Sequence, residues 1–220
     1  MNETPPELDY QGRKTRRVDG HARRQALLEA TLRVIVREGV RGVRHRAVAA
    51  EAGVPLSATT YYFKDIQDLL NDSFLYWVEK TQGDTRRLEA NSLAALAELG
   101  DEALRDPSQR AHLVERIAQF VGAHIRAQVA QREDRVLELA FRAEALRNDR
   151  LATVIRIPRQ SLLDAITGVL RQIGLSDPEA DALEVMGTIM ELEYQLSLEP
   201  EPNMALLDRT VGRLIARLFI

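Results

Sequence analysis

Residues 44–70, RHRAVAAEAGVPLSATTYYFKDIQDLL, decide how this chain is read. Val48, Ala49 and Ala52 share one face of a short helix over about His45–Ala52, and Gly53 follows at once. Glycine turns a chain sharply after a helix because it accepts positive φ without a Cβ penalty. A second short helix, about Ser57–Tyr62, comes next, with hydroxyls, paired tyrosines and a lysine where a core helix would carry leucines. Two short helices joined by such a turn, the second with a polar outer face, are the pattern of a helix-turn-helix that reads DNA.

Working outward, a first helix is expected over about Gly20–Glu38. Leu27, Leu28, Thr31, Val34 and Ile35 recur at three- and four-residue spacing, and Gly39 stops it. Asp65 stands at an N-cap position before a longer helix whose apolar stripe is Leu70, Phe74, Trp77 and Thr81. Further helices are expected at about Thr85–Leu99, Pro107–Ala130, Glu133–Asn148, Arg150–Ile173, Pro178–Leu198 and Met204–Leu218. Pro158 should kink or split the fourth of these. Glu133-Asp134 reads as a helix start. No alternating strand pattern and no internal repeat is present, so the expected fold is all-α. The expected organisation is a flexible basic arm (1–19), a helix-turn-helix domain (20–66) and an all-helical body (67–220).

Bulk properties narrow the function. A chain of 220 residues that is 45% hydrophobic and 29% charged has the makings of a folded globular protein. It has no cysteine, which excludes disulfides, thiolate metal sites and cysteine nucleophiles. The opening MNETPPELDY is polar and acidic, unlike a signal peptide. No apolar run approaches the roughly 18 residues of a membrane helix, and a cytoplasmic location with no membrane partner is expected. The net charge of −3 hides an asymmetry. Residues 10–64 carry 12 Lys+Arg against 4 Asp+Glu, whereas residues 65–220 carry 18 against 26. A basic module on an acidic body points to a polyanion at one end only.

On Leu27-Leu28-x-Ala30, Ile35 and Gly39, then Val48-Ala49-x-x-Ala52-Gly53-Val54, Tyr61-Tyr62-Phe63 and Leu69-Leu70, the first 70 residues resemble the TetR family of bacterial transcriptional regulators. The resemblance covers about a third of the chain by motif and the rest by length and helical architecture. It implies a C-terminal domain for effector binding and dimerisation; no cofactor is expected, and no metal, because the histidines at 21, 45, 112 and 124 have no metal-ligand spacing. Three positions depart from the family pattern. Arg44 and His45 stand where Thr or Ser often caps helix two. Thr60 replaces a Tyr three residues before the Phe. Ile66 occupies the place of a phosphate-contacting Lys, for which Lys64 is the substitute at hand.

DNA contact is expected from the start of helix two and from helix three. Arg46 suits a guanine edge or a phosphate, and His45 stands beside it at the helix start. Ser57, Ala58, Thr59 and Thr60 open helix three, with hydroxyls and methyls that can meet base edges. Tyr61, Tyr62 and Lys64 are expected phosphate contacts, which position without specifying. Phe63 is expected to pack inward, with Tyr62 the tyrosine that faces out. Arg13, Lys14, Arg16 and Arg17 of the arm are placed to reach the minor groove or the backbone.

For the body, His124 and Glu144 fall on otherwise apolar stripes and are candidate polar groups of a ligand pocket, with Trp77, Phe120, Phe141, Met190 and Tyr194 as lining. The alternative for each is an ordinary core or margin position. Leu162, Ile166, Val169 and Ile173 form one candidate dimer stripe, and Val185, Ile189, Leu192 and Leu196 another. The expected protein is a homodimeric repressor of a palindromic double-stranded operator, released by a small, mostly apolar effector of unknown identity. The alternatives are a DNA-binding regulator or architectural protein without an effector, an activator, and an enzyme. Nothing among the familiar metalloprotease, P-loop, dinucleotide-binding or nucleophile-elbow motifs supports the last.

Overall fold

The computed structural model describes residues 10–13, 18–97 and 106–219, without the side chains of 18–19, 82–97, 107–108 and 173. Lys14, Arg16, Arg17, Leu99 and the Ile173 side chain therefore lie outside the described residues. Among the described residues the chain is helical, with no strand. Its helices are α1 (Val18–Glu38), α2 (His45–Glu51), α3 (Leu56–Tyr62), α4 (Ile66–Ala97), α5 (Pro107–Ala130), α6 (Arg132–Ala145), α7 (Asp149–Ile173), α8 (Pro178–Leu198) and α9 (Met204–Arg217). They gather into two compact units, Met1–Asp84 with Val136–Pro158, and Thr85–Arg135 with Arg159–Ile220.

In the first unit, the α1 stripe Leu27, Leu28, Val34 and Ile35 is buried with Val48 of α2 and with Phe63, Leu69, Phe74 and Leu75 around the start of α4. Leu137, Phe141, Leu151 and Val154 belong to the same core. Gly39 ends α1 at φ 73, its N–H donating to the Ile35 carbonyl at 2.8 Å. A short 3-10 turn, Val40–Gly42, leads into α2. Gly53 takes φ 66 after α2, the turn expected of it. Arg33 and Arg37 of α1 close on the two oxygens of Glu51 at 2.7 and 2.8 Å, tying α1 to the last turn of α2. Buried hydroxyls cost little here because each bonds back to a backbone carbonyl: Thr31 to Leu27, Thr59 to Leu56, Ser73 to Leu69.

The second unit packs α5 against α8 and α9. Ile125, Leu196, Leu207, Val211 and Ile215 form its buried core, with Ile117, Val121, Ile189 and Leu192 packed against it. Asp177 and Asn203 cap α8 and α9 by accepting from Ala180 N and Leu206 N at 3.2 and 3.0 Å. These are the side chains suited to satisfying a helix start's orphan donors.

One expectation about helices is corrected, and a second is narrowed from a kink or split to a helix that is not split. There is no separate helix beginning at Thr85, because α4 runs unbroken from Ile66 to Ala97 through Gly83-Asp84. A single glycine costs a helix only about 1 kcal/mol, less than a break would. Pro158 does not split α7, which continues through it from Asp149 to Ile173. Proline removes one internal hydrogen bond there, while the turns on both sides keep theirs. The compact units change over at this residue.

Candidate nucleic-acid interface

Helix α3 is short, and its two faces differ in chemistry. Thr59, Tyr62 and the following Phe63 are buried and hold α3 to its unit. Ser57, Thr60, Tyr61 and Lys64 are exposed. Positions 57, 60 and 61 lie at the three- and four-residue offsets of one helical face, so two hydroxyls and a phenol line up on the outside, and the exposed Lys64 follows two residues after the helix ends at Tyr62. Arg46 at the start of α2 is also exposed, and Ala58 and His45 are half-buried. Leu56, 44% exposed, adds an apolar spot at the opening of α3.

Within that set the structure reverses one pair and removes one residue. Tyr61 is 52% exposed and Tyr62 only 6%, so the outward tyrosine is Tyr61. Tyr62 joins the apolar cluster because it follows the buried Thr59 by three residues and so falls on the packed side of α3, next to the buried Phe63 that ends the helix. Thr59, fully buried with its hydroxyl given to the Leu56 carbonyl, is a packing residue and offers nothing to a base edge.

Residues 10–13 also belong to this surface. The Arg13 backbone N–H donates to the Tyr62 carbonyl at 2.8 Å, and its guanidinium lies 4.5 Å from the centre of the Tyr61 ring. Asp72, fully buried on α4, accepts from the backbone N–H groups of Gln11 and Gly12 and from Arg24. Neither Asp72 nor Arg24 was legible as part of the interface. The one signal was an acid inside the run Leu69–Leu75, where helical spacing calls for an apolar side chain.

The proposed effector residues divide between the units. In the first, Trp77, Phe74 and Phe141 form a three-ring cluster with centroids 4.6–6.0 Å apart. Phe141 is 1% exposed and is core. Glu144 lies 3.6 Å from Arg147, one turn along the helix end, and is an ordinary end-of-helix ion pair. In the second unit, Phe120 and Met190 are half-buried and Tyr194 is exposed.

His124 stands 3.5 Å from Glu193, whose other oxygen accepts from Arg135 at 3.1 Å. Burial, and then the charge of Arg135, push the His124 imidazole down to about 4. It is therefore neutral beside the Arg135–Glu193 pair at neutral pH. Glu193 and Arg135 were not anticipated, because a Glu among Met190, Leu192 and Leu196 reads as a solvated position. A groove of about 370 Å³ is lined by Gln160, Leu163, Asp164, Thr167, Arg171, Glu179 and Leu183, none of them a proposed effector residue.

The dimer stripes need the same revision. Val185 and Leu196 are buried within the single chain, so they are not available to a second copy. Ile189 and Leu192 pack on the unit's own core, and Leu162, Ile166 and Val169 are half-buried. The exposed apolar residues of α8 are Leu183, Tyr194 and Leu198.

Comparison with known proteins agrees with this geometry. Residues 27–72 match the family described as bacterial regulatory proteins, tetR family, and residues 108–217 match the tetracyclin repressor-like C-terminal domain. Over 55 residues the chain is 40% identical to the HTH-type transcriptional regulator PksA of Bacillus subtilis (strain 168), a match that spans 25% of this chain and 27% of that protein. A transcriptional regulator of Rhodococcus sp. Rha1 superposes with a TM-score of 0.58 at 21% identity, over 89% of this chain and 95% of that one. A regulator structure from Saccharomonospora viridis, solved in complex with choline, superposes at 0.60 with 16% identity, over 89% and 96%. At these identities the superpositions speak for the fold.

Proposed function

This chain belongs to the TetR family of transcriptional regulators and carries that family's DNA-binding domain, and from this we propose that it is a repressor that binds a palindromic operator as a homodimer. The observation that carries the reading is the outer face of α3, where Ser57, Thr60 and Tyr61 stand exposed in helical register, with the exposed Lys64 just past the helix end and the exposed Arg46 at the start of α2. Such a face has no packing role, and it supplies donors for base edges and phosphates. The exposed apolar residues Leu183, Tyr194 and Leu198 of α8, with Gly187 and Met190 between them, are the surface proposed for the second subunit. The test is selection of bound duplex from a random pool by purified protein. A two-fold symmetric consensus with half-sites about one helical turn apart or somewhat more is expected. An asymmetric single site, or no enrichment, would overturn the palindrome.

The proposal extends to release by a small, mostly apolar ligand. Helix α4 begins four residues after α3 ends and carries Phe74 and Trp77 in the aromatic cluster with Phe141. A ligand that shifts this helix acts through its preference for the released state. A hundredfold loss of operator affinity needs about 2.7 kcal/mol of coupling, inside the usual allosteric range. That a protein of like fold was solved with choline bound supports looking for a small organic effector. Trp77 is the single tryptophan, so its fluorescence reports binding directly. A compound that changes this signal saturably while leaving operator affinity untouched would refute the coupling.

A further inference from the structure

We infer that Arg13 is a contact to the DNA sugar-phosphate backbone, held in place beside the recognition helix by a strap of residues 10–13 that Asp72 anchors. The inference rests on the DNA-binding reading of the outer face of α3 and narrows the arm's expected reach, minor groove or backbone, to one residue, one kind of contact and the strap that holds it.

The strap is pinned at every residue. Tyr10 donates its hydroxyl to Glu79, and its ring lies under the Arg24 guanidinium at 4.5 Å. Gln11 N and Gly12 N each donate to one oxygen of Asp72 at 2.7 Å. Arg13 N donates to the carbonyl of Tyr62, the last residue of α3, at 2.8 Å. Arg24 completes the shell of Asp72 at 2.6 Å, so the buried carboxylate is neutralised and its two oxygens are bonded. A buried carboxylate is costly unless it is paired and hydrogen-bonded in this way.

Gly12 is part of the device. A Cβ at this position would stand 2.8 Å from an Asp72 oxygen and 2.8 Å from the Phe63 ring, so only glycine lets the backbone approach so closely. The strap is thus built for a defined path, and that path ends at Arg13.

Two arginines of this arrangement have different fates. Arg24 spends its charge on Asp72. Arg13 is exposed, and among the described residues no carboxylate lies within ion-pair distance of it. Its guanidinium carbon stands 4.5 Å from the centre of the exposed Tyr61 ring. A guanidinium laid on an aromatic face keeps its N–H edges free, and those edges form the fork that matches two phosphate oxygens. Tyr61 offers its hydroxyl on the same side, so the two side chains form one charged and one neutral donor at the flank of α3. This placement suits the positioning contacts that set how a recognition helix enters the groove.

The test uses the full-length protein and a duplex recovered by selection with the wild type, together with a random duplex. Arg13→Ala should weaken binding to both by roughly tenfold and lower the slope of log affinity against log salt by about one for each phosphate no longer neutralised. Arg13→Lys should restore the slope but only part of the affinity, since an ammonium cannot fork or stack as a guanidinium does. Gly12→Val should dislodge the strap and reproduce the Arg13→Ala loss. In the double variant the two losses should not add, which a merely structural role for the strap would not produce. Unchanged or tighter binding by Arg13→Ala, or additive losses in the double variant, overturns the inference. If Gly12→Val does not fold, the exposed Arg13 variants still decide the point. Wild-type protein that retains no duplex would remove the regulator reading and this one together, whereas wild-type binding with an indifferent Arg13→Ala removes this one alone.

Discussion

The rings of Tyr61 and Tyr62 meet edge to face, with centroids 4.9 Å apart and planes at 89°. Consecutive residues on a helix point about 100° apart, so the pair straddles the boundary between the packed and the open side of α3. Tyr62 fills the core and Tyr61 stands over it.

That division predicts opposite phenotypes. Tyr61→Ala should weaken binding to operator and random duplex alike and move the thermal midpoint little. Tyr62→Ala should cost about 3–5 kcal/mol of stability, the range for truncating a large buried aromatic. Denaturant titrations alongside binding curves check both. A stability loss confined to Tyr61→Ala would mean the two rings have been assigned to the wrong sides.

Arg46 and Lys64 are expected to separate by function. Arg46→Ala should flatten preference at one operator position, costing roughly 1–3 kcal/mol there. Lys64→Ala should weaken binding to all sequences equally and lower the salt slope by about one. Binding to a panel of single-base operator variants at several salt concentrations separates the two. Equal losses on every duplex for Arg46→Ala would place Arg46 among the phosphate contacts.

On α8, Leu183→Arg should give a folded monomer that has lost high-affinity operator binding. Leu183 is 52% exposed in the single chain, and a two-fold interface would bury it and bring two like charges together. Leu196→Arg should instead unfold the protein, since Leu196 is 4% exposed within the core of its own unit. Sedimentation and circular dichroism distinguish these outcomes. A dimeric Leu183→Arg would move the interface elsewhere.

Stability should fall as pH drops from about 6.5 toward 4, with His124 as a cause. Burial and Arg135 depress its folded-state pKa, so between these values the unfolded chain binds a proton that the folded chain refuses. Unfolding takes up that proton, and stability rises with pH across the window. The loss on acidification is at most about 3 kcal/mol. Glu193 is the carboxylate facing His124, so acid denaturation of His124→Gln isolates the imidazole. The variant should show a flatter stability profile over this window. An unchanged profile would assign the acid sensitivity to other groups.

The all-helical class, most of the helices, Gly39 and Gly53 as turn points, and the polar outer face of α3 were legible in the sequence. Each depends on neighbours within a turn or two, through apolar spacing, cap residues and glycine's tolerance of positive φ. Which of two adjacent tyrosines faces out was not legible, because that depends on the exact rotation of α3 against its unit. The burial of Val185 and Leu196 was hidden for a similar reason. A helix apolar over a wide arc does not say which stripe its own chain covers, and only the packing of α5 and α9 decides that. Asp72 and Gly12 are 60 residues apart. Only the fold brings a buried carboxylate to that strap, and no local pattern records a pairing whose two halves each look unremarkable alone.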